Sequence, residues 1–254
     1  MANKSKELDG KIIGDNLSSL ATILSDAGLC HDVGPLNHAG NFCSKNASET
    51  DYSYKFNYLE FNIPNQSGVV PALCYQLKLR FSIDITGVID TGEDNTVKNP
   101  LKALAFDLEL SGVGLTEEAD EMCLHSSWHL DKHIRGEKDG ATKFSHPEYH
   151  LAFGGHKMEA NDGMYGGSLI MPTPRLAYPP MDAALGINFI LQNYFHKDTI
   201  ASVLLDPIYQ RIIVESQERL FIPYAKSFYS NWFNTGLKFE KFFQPGEIFP
   251  LLIN

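Results

Sequence analysis

Apolar and polar residues alternate with a period of two through the middle of the chain, and with a helical period near its start and after residue 180. Residues two apart on a strand share a face, whereas residues three and four apart share a face of a helix. Leu17, Leu20, Ile23, Leu24 and Ala27 make one helical stripe. With Asp15 or Asn16 as cap and Gly28 as terminator, the pattern predicts a helix over 15–28. Residues 30–50 are rich in Gly, Asn and Ser and read as a loop.

Tyr52, Tyr54, Phe56 and Tyr58 then alternate with polar residues, until Leu59, Phe61 and Ile63 take the other parity. A change of parity inside one strand predicts a bulge near Tyr58, or a strand end buried on both faces. After a turn at 64–71, apolar residues from Leu73 to Ile85 alternate with Cys74, Gln76, Lys78, Arg80, Ser82 and Asp84. That is a long strand with one wet face. Residues 90–100 read as a loop, and Leu104, Phe106, Leu108 and Leu110 make a third strand with Asp107 and Glu109 opposite. A short strand is expected at 168–171.

Past Pro179-Pro180 the period changes. Residues 181–195 are apolar nearly all round, as in a buried helix, and 199–205 continue helical. Asp206-Pro207 supplies a cap with proline at the first helical position, and Pro223 is expected to break or kink the helix that follows, with another over 224–233. The tail 235–254 sets apolar residues around two prolines and reads as extended, packed on the domain or docked on a partner. The expected fold is α+β: one domain over 1–254, with an N-terminal helix, an antiparallel meander at 51–171 and a helical half at 181–234 on one sheet face.

Composition narrows the function. The chain has 254 residues, 43% apolar and 20% charged, with a net charge of −10. An acidic chain is not expected to bind a phosphate backbone by itself. Four cysteines without a C-x-x-C pair give neither a zinc knuckle nor a redox motif. No run approaches the apolar length of a membrane span and no secretory pattern is present, so a cytoplasmic protein without a membrane partner is expected.

Six of the nine histidines lie between residues 123 and 156. His125, Ser127, His129, Asp131 and His133 alternate with Leu124, Trp128 and Leu130. His146, Glu148 and His150 alternate with Tyr149, Leu151 and Phe153. On two strands joined by the polar loop 135–145, H-x-D-x-H would face H-x-E-x-H. The i, i+4, i+8 spacing of His125, His129 and His133 also suits one face of a helix.

Imidazoles beside carboxylates suit zinc, manganese or iron. His129, Asp131 and His150 are the first-choice ligands, with His146 a further one. The chemistry expected is metal-assisted hydrolysis of an ester or phosphoester, with His133 or Glu148 moving the proton; a metal-free variant would use two histidines as acid and base, with Lys132 or Arg175 holding an anion. The competing expectation is a non-enzymatic subunit that holds protein partners through the polar sheet face and the apolar tail. The glycine pairs at 154–155 and 166–167 lack dinucleotide or P-loop spacing, so no nucleotide cofactor is indicated.

Two partial resemblances follow from these residues. Trp128 followed by His129-Leu130-Asp131 resembles the metal-binding strand of iron- and 2-oxoglutarate-dependent dioxygenases. That resemblance implies a distal histidine and arginine, which His196 and Arg211 match in order only. It also implies a double-stranded β-helix, from which the helical pattern after residue 181 departs. The layout of helix, meander and helices, with His146-Pro147-Glu148, resembles ubiquitin-conjugating enzymes. Their catalytic cysteine follows that turn, and no cysteine follows Cys123 here. What this second resemblance leaves is an inactive relative acting as a binding module.

Overall fold

The computed structural model describes residues 10–63, 74–89, 96–115, 119–133, 146–154, 158 and 175–252. The predicted turn at 64–71, the polar loop at 135–145 and the strand at 168–171 lie outside them.

Helix α1 (Gly10–Asp26) starts earlier than its stripe suggested, so Asp15 and Asn16 sit inside it and do not cap it. Gly28 ends it as expected, at a left-handed φ of 66°, and the Leu29 amide donates back to the Leu24 carbonyl at 3.0 Å. Residues expected to loop form a second helix, α2 (Gly34–Asn46). Its Gly40 is a contact point. A Cβ on Gly40 would lie 2.6 Å from the Gly14 carbonyl oxygen, so the two helices meet backbone to backbone. Leu36, Ala39 and Cys43 complete the buried face.

Strand β1 (Asp51–Asn62) runs antiparallel to β2 (Cys74–Val88). Between the pairs Phe56–Ile83 and Leu59–Phe81, β1 carries one extra residue, and Tyr58 adopts a φ of 58°. That is the bulge the parity change predicts: Tyr52, Tyr54 and Phe56 are buried before it, Leu59 and Phe61 after it. Next come β3 (Thr96–Val97), β4 (Leu101–Leu115), β5 (Glu121–Lys132), β6 (Tyr149–Phe153) and β7 (Leu176–Ala177). One six-stranded sheet results, in the order β1-β2-β4-β5-β6-β7, with every pairing antiparallel.

The apolar face carries the helices. In α3 (Ala183–Tyr194), Asp182 Oδ1 caps the start by accepting the Leu185 amide at 2.9 Å. The Ala183 amide donates to the Tyr54 hydroxyl at 3.0 Å, which ties the helix start to β1. Helix α4 (Lys197–Leu204) is short, and α5 (Pro207–Tyr229) begins at the predicted Asp206-Pro207 cap. Pro223 does not end α5: the helix runs through it, held by Leu220, Tyr224 and Ser227, which are buried on either side. Arg219 of α5 and Asp182 form a buried ion pair, with the guanidinium also 5.6 Å from the Tyr52 ring centroid.

The tail is not extended throughout. It adds β8 (Lys238–Phe239), parallel to β3, and α6 (Pro245–Ile248). Phe243 and Ile248 are buried, and Ser227 Oγ donates to the Phe243 carbonyl at 2.7 Å. Among the described residues no helix is long and apolar enough to cross a membrane.

Candidate metal centre

Register builds the centre. Strand β5 places Leu130 in the core opposite Phe106 of β4, which turns His129 and Asp131 to the face away from the helices. On the other side of β5, Asp131 pairs with His150 of β6 and His129 with Ala152. The hairpin-like partnership of the two histidine segments is therefore present, as strand with strand; the helical alternative for 125–133 falls.

His129, Asp131 and His150 each offer a ligand atom, and these atoms lie within 4.8 Å of one another. This group can hold a metal ion. His129 Nε2 stands 3.8 Å from Asp131 Oδ2. His150 is 4% exposed, and its Nδ1 is buried with no hydrogen-bond partner among the described residues. A buried imidazole nitrogen without a partner costs free energy that a ligand would recover. Burial, then the neighbouring His146, His129, Arg175 and His133, pushes the His150 imidazole down to about 3. It is thus neutral at physiological pH, the form that binds metals.

The other predicted site residues fall into two groups. His146 stands beside the triad, with its ring centroid 4.5 Å from that of His150 and 4.2 Å from that of His133. Arg175 directly precedes β7, and its charge is felt at His150. Glu148 is drawn elsewhere. Its buried Oε1 accepts from Lys132 Nζ at 2.7 Å and from Asn99 Nδ2 at 2.9 Å.

Asn99 was given no role by the sequence, where it sits in a polar tract that reads as a loop. It organises the wall next to the centre. Its Oδ1 accepts from the buried Tyr149 hydroxyl and from the Leu101 amide at 3.3 Å, and its own amide donates to Glu240 Oε2 at 2.9 Å. The Glu148 amide donates to the Glu247 carbonyl at 2.9 Å, and the His133 amide to the Glu148 carbonyl at 2.8 Å. The tail and the strand ends are thereby joined around a cavity of about 660 Å³. His133, Lys132 and Glu148 line one part of it, and Leu101, Leu104 and Phe242 give it apolar wall. That volume suits a small molecule.

The dioxygenase resemblance does not carry through. His196, 63% exposed on its side chain, accepts the Asp198 amide at the start of α4, and Arg211 bonds Glu215 and Asn16. The histidine that joins H-x-D is His150. The sheet is a single open meander, and Cys30 and Cys43 are buried thiols pushed up to about 12 and about 11 by burial. Comparison with protein-family models, curated proteins and solved structures gives no match.

Proposed function

We propose that the chain is a divalent-metal-dependent hydrolase of phosphoesters, with the metal held by His129, Asp131 and His150. The observation that carries this reading is the direct pairing of Asp131 with His150, with His129 on the same face and all three ligand atoms within 4.8 Å. Two imidazoles and one carboxylate suit zinc, manganese or iron(II) and leave positions open for water and substrate. A cation bound there polarises a phosphoryl oxygen and lowers the pKa of water.

The surrounding residues take their roles from position. In the hydrolysis, a water oxygen bonds to phosphorus, the P–O ester bond breaks, and a water proton leaves with the alcohol. We assign that proton to His133, connected through the His146 ring to His150. Glu148, already neutralised by Lys132, is assigned to the cavity wall. Arg175 is assigned to the charged phosphoryl group, and the cavity beside His133 to the rest of the substrate.

The test is elemental analysis and turnover on the same preparations. Wild-type protein offered zinc, manganese or iron(II) at neutral pH should retain close to one equivalent, and His129→Ala/His150→Ala should retain little. The loaded wild type should release p-nitrophenol from p-nitrophenyl phosphate or its bis-ester. No retained metal overturns the centre; retained metal without turnover of either ester overturns the hydrolase. The same donor set serves non-haem iron oxygenases, and retention of iron(II) alone, with zinc and manganese refused, would favour that second reading.

A further inference from the structure

We infer that the turn and loop from Ser230 to Phe242 dock on an anionic phospholipid surface, as an interfacial contact and not a span. Residues 232–238 are exposed in unbroken succession, with Trp232 at 54% and Phe233 at 62%, and Leu237 among them. Tyr229 before the run and Phe242 after it are exposed as well. Large apolar side chains normally avoid such positions, and a contiguous group of them marks an interaction site.

The group is fixed in place. The Trp232 ring lies 5.1 Å from Phe228 and 6.3 Å from Tyr229, and Phe228 in turn 5.7 Å from Phe249. The Trp232 and Phe233 amides donate to the Tyr229 carbonyl at 3.1 and 3.2 Å, and Lys238 pairs with Thr96. A rigid aromatic turn enters an interface with little ordering cost.

Charge selects the occupant. The chain carries −10, yet residues 222–243 contain Lys226, Lys238 and Lys241 against the single acid Glu240. Glu240 directs Oε2 back to the Asn99 amide, and Lys241 Nζ lies 5.0 Å from the Phe242 ring centroid. Tryptophan, tyrosine and phenylalanine flanked by lysine is the composition that enters an anionic headgroup region. Seven consecutive residues, 232–238, are each exposed, whereas protein interfaces centre on well-packed, desolvated pockets. A second copy joined through the same patch would bring two net-positive segments together across a two-fold axis.

The chain has two tryptophans, and Trp128 packs 5.1 Å from Phe153, so Trp232 is the natural reporter. Full-length protein is mixed with large unilamellar vesicles of phosphatidylcholine alone, or containing about one quarter phosphatidylglycerol. The expected result is cosedimentation at least about tenfold stronger with the anionic vesicles, weakened by salt. A blue shift of tryptophan emission should accompany it and vanish in Trp232→Phe. Lys226→Gln/Lys238→Gln/Lys241→Gln should lose the anionic preference, and Trp232→Ser/Phe233→Ser the binding, each with an unchanged melting temperature. No binding to either vesicle at low salt, binding equal in all variants, or a concentration-dependent dimer abolished by Trp232→Ser/Phe233→Ser overturns the inference.

Discussion

Asp182 and Arg219 meet in the core, where the carboxylate that caps α3 also receives the guanidinium of α5. One side chain thus starts a helix and fixes a second against it. Arg219 Nε and Nη1 are buried without hydrogen-bond partners among the described residues, so the ion pair is what balances that charge. Asp182→Ala is expected to destabilise the fold by about 3–5 kcal/mol, because it leaves a buried cation unpaired. Asp182→Leu/Arg219→Met should cost less than Asp182→Ala, and chemical denaturation of the variants measures both.

Metal should also report on folding. A ligand that binds only the native state stabilises it by about 2.7 kcal/mol at a free concentration one hundred times its Kd. Zinc or manganese is expected to raise the melting temperature of the wild type by several degrees, reversed by chelator. In Asp131→Asn and His150→Ala the shift should be absent, as read by calorimetry.

Asn99 bonds Tyr149, Leu101, Glu148 and Glu240 at once. Asn99→Ala leaves the buried Tyr149 hydroxyl and Glu148 carboxylate short of partners, at about 1–3 kcal/mol for each unsatisfied group. Both residues directly precede His150 in the chain. The variant should therefore lose stability and also bind metal more weakly, which isothermal titration separates from unfolding.

Gly186 lies in α3 directly over the sheet. A Cβ there would sit 2.5 Å from the Phe106 ring and 2.8 Å from the Phe81 ring. Alanine has the better helix propensity, by about 1 kcal/mol. Overpacking of two fixed core rings costs about 1–3 kcal/mol and should outweigh it. Gly186→Ala is expected to lower the melting temperature, whereas Gly246→Ala, where no atom lies within 4 Å, should not suffer this clash.

The sequence made legible what depends on short-range period. The bulge at Tyr58, the polar parity of His129 and Asp131, the Asp206-Pro207 start and the turn at Gly28 are all local consequences of side-chain type. That the two histidine segments would lie side by side on neighbouring strands was legible for the same reason, but the register that sets Asp131 opposite His150 was not. Helix α2 was not legible. Gly34 and Gly40 lower its helix propensity, and the backbone contact between Gly14 and Gly40 explains the second. Pro223 misled in the other direction, because burial on both sides keeps α5 continuous through a lost hydrogen bond. Asn99 was invisible because its partners come from residues about 50 and about 140 positions away.

Strand β1 sits at one edge of the sheet and is rich in aromatic residues, the kind of strand that recruits others. The left-handed Tyr58 splits its outer side into Asp51–Phe56 and Leu59–Asn62, displaced by one residue from each other. A strand arriving from another molecule can match one stretch or the other, but not both. Within the second stretch, Cys30 already bridges Phe61, and the Leu29 carbonyl takes the Asn62 amide at 3.4 Å. The irregularity that turns Leu59 and Phe61 into the core thus also denies amyloid-like growth a continuous template.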